Sequence, residues 1–231
     1  MVSNLLVDDV QIEVRKKKIK NLYLSVHPPE GSVKISAPLT MSDEAIWEFA
    51  VAKLAWIKKQ QAKLQRQAKQ AQKEYVSGES HFFQGKRYLL QVVETKKKQK
   101  AEIKEGKIYL YVRQGSTKEQ REKVMREWYR SQLKKQIPPL LAKWEQRLGR
   151  KVNFWGVKLM KTKWGSCNPG AKRIWFNLEL AKHSFRCLEY IVVHEMVHLL
   201  ERHHNQRFYA YLDKLFPNWK EIRAELNGLQ W

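Results

Sequence analysis

The chain has 231 residues, 43% of them hydrophobic and nine of them tryptophan, enough for one large core or two small ones, which excludes a disordered polycation. Its 45 Lys and Arg against 23 Asp and Glu give a net charge of +22, which favours polyanionic partners such as nucleic acid, nucleotides or an acidic membrane surface without defining a site for them. Cys167 and Cys187 are too few for a disulfide scaffold, no basic flank leads into an apolar core at the N-terminus, and no run of about 18 apolar residues offers a membrane span. A cytoplasmic protein without membrane insertion is therefore expected.

Short strands are expected at residues 10–14, 22–26 and 33–36, separated by a Lys-rich turn and by Pro28-Pro29-Glu30-Gly31. Their period-two alternation implies a sheet with one solvated face. Ser42 followed by Asp43 and Glu44 starts a helix, with acidic residues at the positive end of its dipole and Ile46, Phe49, Ala50, Leu54 and Ile57 on one stripe. Beyond Ile57 the stripe fades into a Gln, Lys and Arg-rich stretch over residues 58–74. A helix projecting across the surface is expected there, open to nucleic acid.

Alternation returns at residues 88–93 and 107–112, expected as a hairpin whose charged tip is residues 96–100. Thr117-Lys118-Glu119-Gln120 is a capping box, opening a long helix that buries Val124, Trp128, Leu133 and Ile137. Pro138-Pro139 should kink or restart that helix, and Leu140, Leu141 and Trp144 carry its period on to Leu148-Gly149. Two further strands are expected, at residues 152–159 and 173–178, joined by a loop over residues 164–170. Trp164 and Trp175 of this hairpin serve as core or line a cleft, and Asn177 is a polar group within reach of a substrate. Cys167 is a nucleophile by residue type, but a packing role suits it better. No internal repeat is legible.

Four of the seven histidines fall within residues 194–204, and the stretch begins His194-Glu195-Met196-Val197-His198, an H-E-x-x-H motif. On a helix His194 and His198 lie one turn apart and can aim both imidazoles at one zinc ion, while Glu195, about 100° around the axis, reaches a zinc-bound water as general base. Residues 190–193 and Leu199-Leu200 make the helix apolar, and burying two imidazoles and a carboxylate is costly unless a metal pairs them. A catalytic zinc takes three protein ligands. His203 and His204 are the nearest third donors, provided the chain turns at residues 201–203, and Glu201, Glu221 and Glu225 are carboxylate rivals. With His204 the spacing matches that of metzincin proteases, but their turn glycine is replaced by Glu201 and no methionine follows Met196.

Residues 190–209, the block Lys163-Trp164-Gly165-Ser166-Cys167-Asn168 and the segment Ile174-Trp175-Phe176-Asn177-Leu178 together resemble the YgjP-like metallopeptidase family, one of the zincins and similar to the SprT/WLM-type proteases associated with DNA. The likeness extends upstream to residues 33–38, Trp56-Ile57, Gly78-Glu79 and Gly85. It implies His194, His198 and His204 as metal ligands and Glu195 as catalytic base. It also implies an α+β fold in which a β-rich region with a long basic helix, residues 1–115, precedes a zincin-like catalytic domain, residues 116–231. Members of the family carry both metallopeptidase and nucleoside triphosphate pyrophosphatase labels, with UTP as the named nucleotide.

The reading that follows is a zinc hydrolase acting on peptide bonds, with a backbone N–H of the 164–168 block, Arg173 or Asn177 as oxyanion partner. A nucleotide substrate is the alternative. The chain has no G-x-x-x-x-G-K-[ST] loop, so a phosphate clamp would fall to Lys161, Lys163, Lys172 and Arg173. A nucleic-acid-binding module with a structural zinc is the third reading, and Glu195 speaks against it, since a structural site takes four protein ligands and needs no base.

Overall fold

A computed structural model describes residues 2–27, 30–71 and 73–228, with the side chains of residues 63, 65–71 and 227 left aside. The Pro28-Pro29 part of the expected turn lies outside the described residues. The chain divides into two units, residues 1–73 and 74–230.

In the first unit, strands β1 (Val2–Val7), β2 (Val10–Lys17), β3 (Tyr23–His27) and β4 (Ser32–Pro38) form one sheet in the order β1-β2-β4-β3. Asp8-Asp9 closes the first hairpin, with Asp8 at φ 56, a left-handed conformation that Asp tolerates better than most residues. Val10, Ile12 and Val14 of β2 and Val33, Ile35 and Ala37 of β4 face one core. Helix α1 (Asp43–Ala52) covers it with Ile46 and Ala50, and its N-cap Ser42 accepts a hydrogen bond from the Ala45 N–H at 3.2 Å. The single expected helix is broken at Lys53. A second helix, α2 (Leu54–Ala71), follows and adds Ile57 to the core.

The second unit opens with the same topology. Strands β5 (Ser80–Phe83), β6 (Lys86–Glu94), β7 (Lys100–Lys104) and β8 (Lys107–Val112) run in the order β5-β6-β8-β7, with antiparallel outer pairs and a parallel middle pair, as in the first sheet. Two expectations are corrected here. Residues 88–93 and 107–112 are not partners in a hairpin. They pair parallel, and residues 100–104, at and beyond the end of the basic segment, form β7, which returns to β8 through Glu105-Gly106, both at positive φ. The repeat missed in the sequence is equally clear: Glu30-Gly31 and Glu105-Gly106 each precede an inward alternation, Val33-Ile35-Ala37 and Ile108-Leu110-Val112. Each then leads to a helix N-cap, Ser42 and Thr117.

Helix α3 (Lys118–Leu148) follows, opened by the full Thr117/Gln120 capping box and closed by Gly149 at φ 62. One helix spans Pro138-Pro139, so the restart expected there as the alternative to a kink does not occur. Leu133, Ile137, Leu140, Leu141 and Trp144 bury both sides of the prolines in one core, which outweighs the lost backbone hydrogen bonds. Leu90, Ile108, Leu110 and Val112 share that core with Met125 and Trp128, so the expected boundary after residue 115 falls inside this unit.

Strands β9 (Phe154–Lys158), β10 (Gly165–Asn168) and β11 (Arg173–Asn177) form a third sheet, in the order β10-β11-β9. The block expected as a loop is therefore itself the edge strand β10, antiparallel to β11, while β9 pairs parallel with β11. A 3-10 turn (Leu178–Lys182) leads to α4 (Phe185–Val197), then α5 (Gln206–Leu215) and α6 (Trp219–Gly228).

Candidate metal centre

Helix α4 is fixed through its N-terminal half before its histidines come into play. Ser184 caps it, accepting from the Cys187 N–H at 3.3 Å and donating to Glu225 of α6 at 2.9 Å. Glu189 receives Lys143 at 2.6 Å and the Trp144 indole N–H at 3.1 Å, tying α4 to α3. Val192, Val193, Met196 and Val197 are fully buried, so the remaining face presents His194, Glu195 and His198.

Past His198 the chain turns. Leu200 N–H and Glu201 N–H both donate to Val197 O at 2.9 Å, the Glu201 carboxylate accepts the His203 N–H at 3.3 Å, and Asn205 caps α5 by accepting from Phe208 N–H at 3.0 Å. Glu201 is not among the residues at positive φ, so this turn has no need of a glycine. It brings His204 back to α4. The donor nitrogens of His194, His198 and His204 lie within 4.8 Å of one another, and the two Nε2 atoms of His194 and His204 are 3.1 Å apart. His203 is exposed and stands outside this cluster. Phe208 forms the floor, its ring centroid 5.0, 4.7 and 4.6 Å from those of His194, His198 and His204.

Burial lowers the pKa of all three imidazoles, that of His194 to about 3, with the neighbouring histidines and Arg223 pushing it the same way. They are thus neutral at pH 7, the state in which imidazole offers a lone pair. His198 Nδ1 faces the Glu201 carbonyl at 3.1 Å. Donating there fixes the tautomer that leaves Nε2 free to ligate. At most one proton can sit between two Nε2 atoms 3.1 Å apart, whereas a cation among the three lone pairs satisfies them all. The residues fit a divalent metal of the kind imidazole prefers, zinc among them.

Glu195 is 5% exposed, and burial pushes its pKa up to about 8 against the pull of Lys163. Its carboxylate lies over Gly165 of β10, where a Cβ would stand 2.6 Å from Oε1. Only glycine leaves that space. A cleft of about 890 Å³ opens here, lined by β10, by the triad and by Tyr190, Tyr209 and Arg223.

Of the other residues read from the sequence, Trp164 lines the cleft, packed edge-on against His183 with centroids 4.7 Å apart. Asn177 is buried with its amide fully engaged: Nδ2 donates to Met160 O at 3.0 Å and Lys163 O at 2.8 Å, and Oδ1 accepts from the Met160 and Glu179 N–H groups at 3.2 Å. It anchors the segment leading to Lys163 and does not line the cleft. Arg173 is exposed at the start of β11, also away from the cleft, and of the four cations weighed as a phosphate clamp only Lys163 borders it. Trp175 covers Gly156 of β9 instead. Burial and the Glu195 carboxylate push the Cys167 thiol up to about 12, which keeps it protonated. Glu225 is occupied by Ser184 and Cys187, and neither it, Glu201 nor Glu221 joins the histidine cluster. Phe208 as the floor of the triad and Arg223 on its rim went unread in the sequence, although the repeating apolar pattern of α5 does point Phe208 inward.

A family model described as the YgjP-like metallopeptidase domain matches residues 20–229. Comparison with curated proteins finds no match. Among solved structures, the metallopeptidase zymogen abylysin of Pyrococcus abyssi is similar with a TM-score of 0.37 and 21% identity, over 39% of this chain and 90% of that one. The metallopeptidase zymogen jannalysin of Methanocaldococcus jannaschii gives 0.34 and 22%, over 42% and 94%.

Proposed function

The chain belongs to the YgjP-like metallopeptidase family, and on that footing we propose that it hydrolyses peptide bonds at the cleft between β10 and α4, with His194, His198 and His204 holding a zinc ion and Glu195 as general base. The observation that carries the reading is the neutral three-histidine cluster with a buried carboxylate beside it on α4, seated against a strand that has no side chain at that point. A bound zinc supplies Lewis acidity to the attacking water and to the scissile carbonyl. Glu195 takes the proton of that water and passes it to the departing amine, and its raised pKa suits a group that must both accept and return a proton near neutrality. Phe208 and Tyr190 hold the imidazoles in place by ring contact, at 4.6–5.0 Å and 5.8 Å respectively.

Peptide is favoured over nucleotide by the form of the cleft wall. Gly165, Ser166, Cys167 and Asn168 all line it, and β10 is the edge of its sheet, so its outward backbone groups suit an extended chain. Zinc-loaded protein and its Glu195→Gln variant, assayed side by side on casein-derived peptides and on nucleoside triphosphates, test the reading. Peptide cleavage that disappears in the variant is the expected result. Release of pyrophosphate with no peptide cut would overturn it.

A further inference from the structure

The rim of the cleft carries one sign of charge. Lys163 precedes β10, Arg202 follows the end of α4, and Arg223 belongs to α6. The only carboxylate among the lining residues is that of Glu195, which is buried and committed to the reaction. The nearby acids are occupied elsewhere: Glu225 with Ser184 and Cys187, Glu201 with the His203 N–H and with Arg207 at 4.0 Å. Among the described residues no carboxylate pairs with Lys163, Arg202 or Arg223, and the Arg223 guanidinium lies 5.9 Å from the centroid of the Trp219 ring. Lys163, Arg202 and Arg223 line the same cleft as His194, Glu195, His198 and His204. Three cations without a carboxylate partner among the described residues thus border the reacting centre.

Like charges gathered around a concave site repel one another, and an anionic ligand relieves that repulsion while its approach is steered by the field. We infer that the cleft is selective for peptides that bring a carboxylate to Arg223, with Lys163 and Arg202 extending the preference to acidic sequence on either side of the cleaved bond. The inference rests on the peptidase reading above. Arginine suits the task because its planar fork meets a carboxylate through two parallel hydrogen bonds. The carboxylate can belong to an Asp or Glu side chain or to the free C-terminus of the substrate.

Binding to the full-length, zinc-loaded Glu195→Gln protein separates these sources without turnover. Fluorescein-labelled peptides of one length, with Glu, Gln or Lys at the central positions and each with a free or amidated C-terminus, are compared by anisotropy at low and moderate salt. The Glu peptide should bind at least ten-fold more tightly than the Gln peptide, and the ratio should shrink as salt rises. In the Arg223→Gln background the ratio should fall towards one, and Lys163→Gln should reduce it in part. If amidation weakens binding whatever the central residue, the C-terminal carboxylate is recognised; if Gln for Glu weakens it with either form of the C-terminus, the side chain is recognised. Binding of all the peptides within two-fold of one another, or a ratio unchanged by Arg223→Gln, would overturn the inference. Mass spectrometry of the same peptides incubated with the native protein keeps the two readings apart. Equal cutting of acidic and neutral peptides leaves the peptidase standing and removes the selectivity, whereas no cutting, with hydrolysis of a nucleoside triphosphate, removes both.

Discussion

Gly165→Ala is the smallest change that should disable the site without touching a ligand. The added Cβ would stand 2.6 Å from Glu195 Oε1, 2.7 Å from Cγ and 2.8 Å from Cδ, where ordinary contact begins at 3.4 Å. Relief requires the carboxylate to retreat by about 0.8 Å or β10 to move away from α4 by as much. Neither is easy, since Glu195 is 5% exposed and β10 is paired along its whole length with β11. Overpacking of this kind costs about 1–3 kcal/mol of stability, and a reacting group misplaced by about 1 Å costs about a hundred-fold in rate. The expected variant therefore keeps its zinc, unfolds at lower urea concentration and cleaves peptides about a hundred times more slowly. Glu195→Asp withdraws the carboxylate by one methylene. In that background Gly165→Ala should cost little further stability, giving a coupling of about 1–2 kcal/mol in a double-mutant cycle. Urea unfolding, bound-metal analysis and a peptide cleavage assay on the four proteins decide it. A single variant with native activity, or stability losses that simply add, would refute the steric argument.

Glu195→Gln should retain zinc and lose about 10²–10⁴-fold in hydrolysis, because an amide cannot take the proton of the attacking water; metal content and turnover measured on one preparation check both halves. His204→Ala should surrender zinc to a chelator at least about ten-fold more readily than His203→Ala, since His203 lies outside the cluster; the reverse order would move the ligand. Burial lowers the His183 pKa from 6.5 to about 4, so between these values the unfolded chain binds more protons and stability falls with falling pH. That loss approaches about 3 kcal/mol below pH 4, and His183→Gln should remove its share of the slope in urea titrations of the zinc-loaded protein between pH 7 and 4.5. An unchanged slope would place the acid sensitivity elsewhere.

What could be read from the chain was what depends on near neighbours. The apolar context of α4, the Thr117/Gln120 box and the cap at Ser42 act within a turn or two of helix, and each stands where the residues place it; the H-E-x-x-H spacing is local in the same way, with His198 the residue that closes α4. The likeness of residues 163–178 and 190–209 to a metallopeptidase family was local in the same sense. Contacts between distant segments were decided by packing alone. Nothing near Pro138-Pro139 announces that buried residues on both sides carry α3 past them as one helix, and nothing near residues 96–104 tells a charged tip from a strand except the Glu105-Gly106 turn, whose twin at Glu30-Gly31 would have disclosed the repeat. Asn177 is polar and stands beside the cleft-forming block, but its four backbone partners were invisible until residues 160–163 had folded onto it. Gly165 against Glu195, Phe208 beneath the three imidazoles and Arg223 in one cleft with Lys163 join residues that are far apart along the chain and meet only when β10, α4, α5 and α6 close on one another. Periodicity reports which face of an element is buried; what it is buried against is a property of the assembled core.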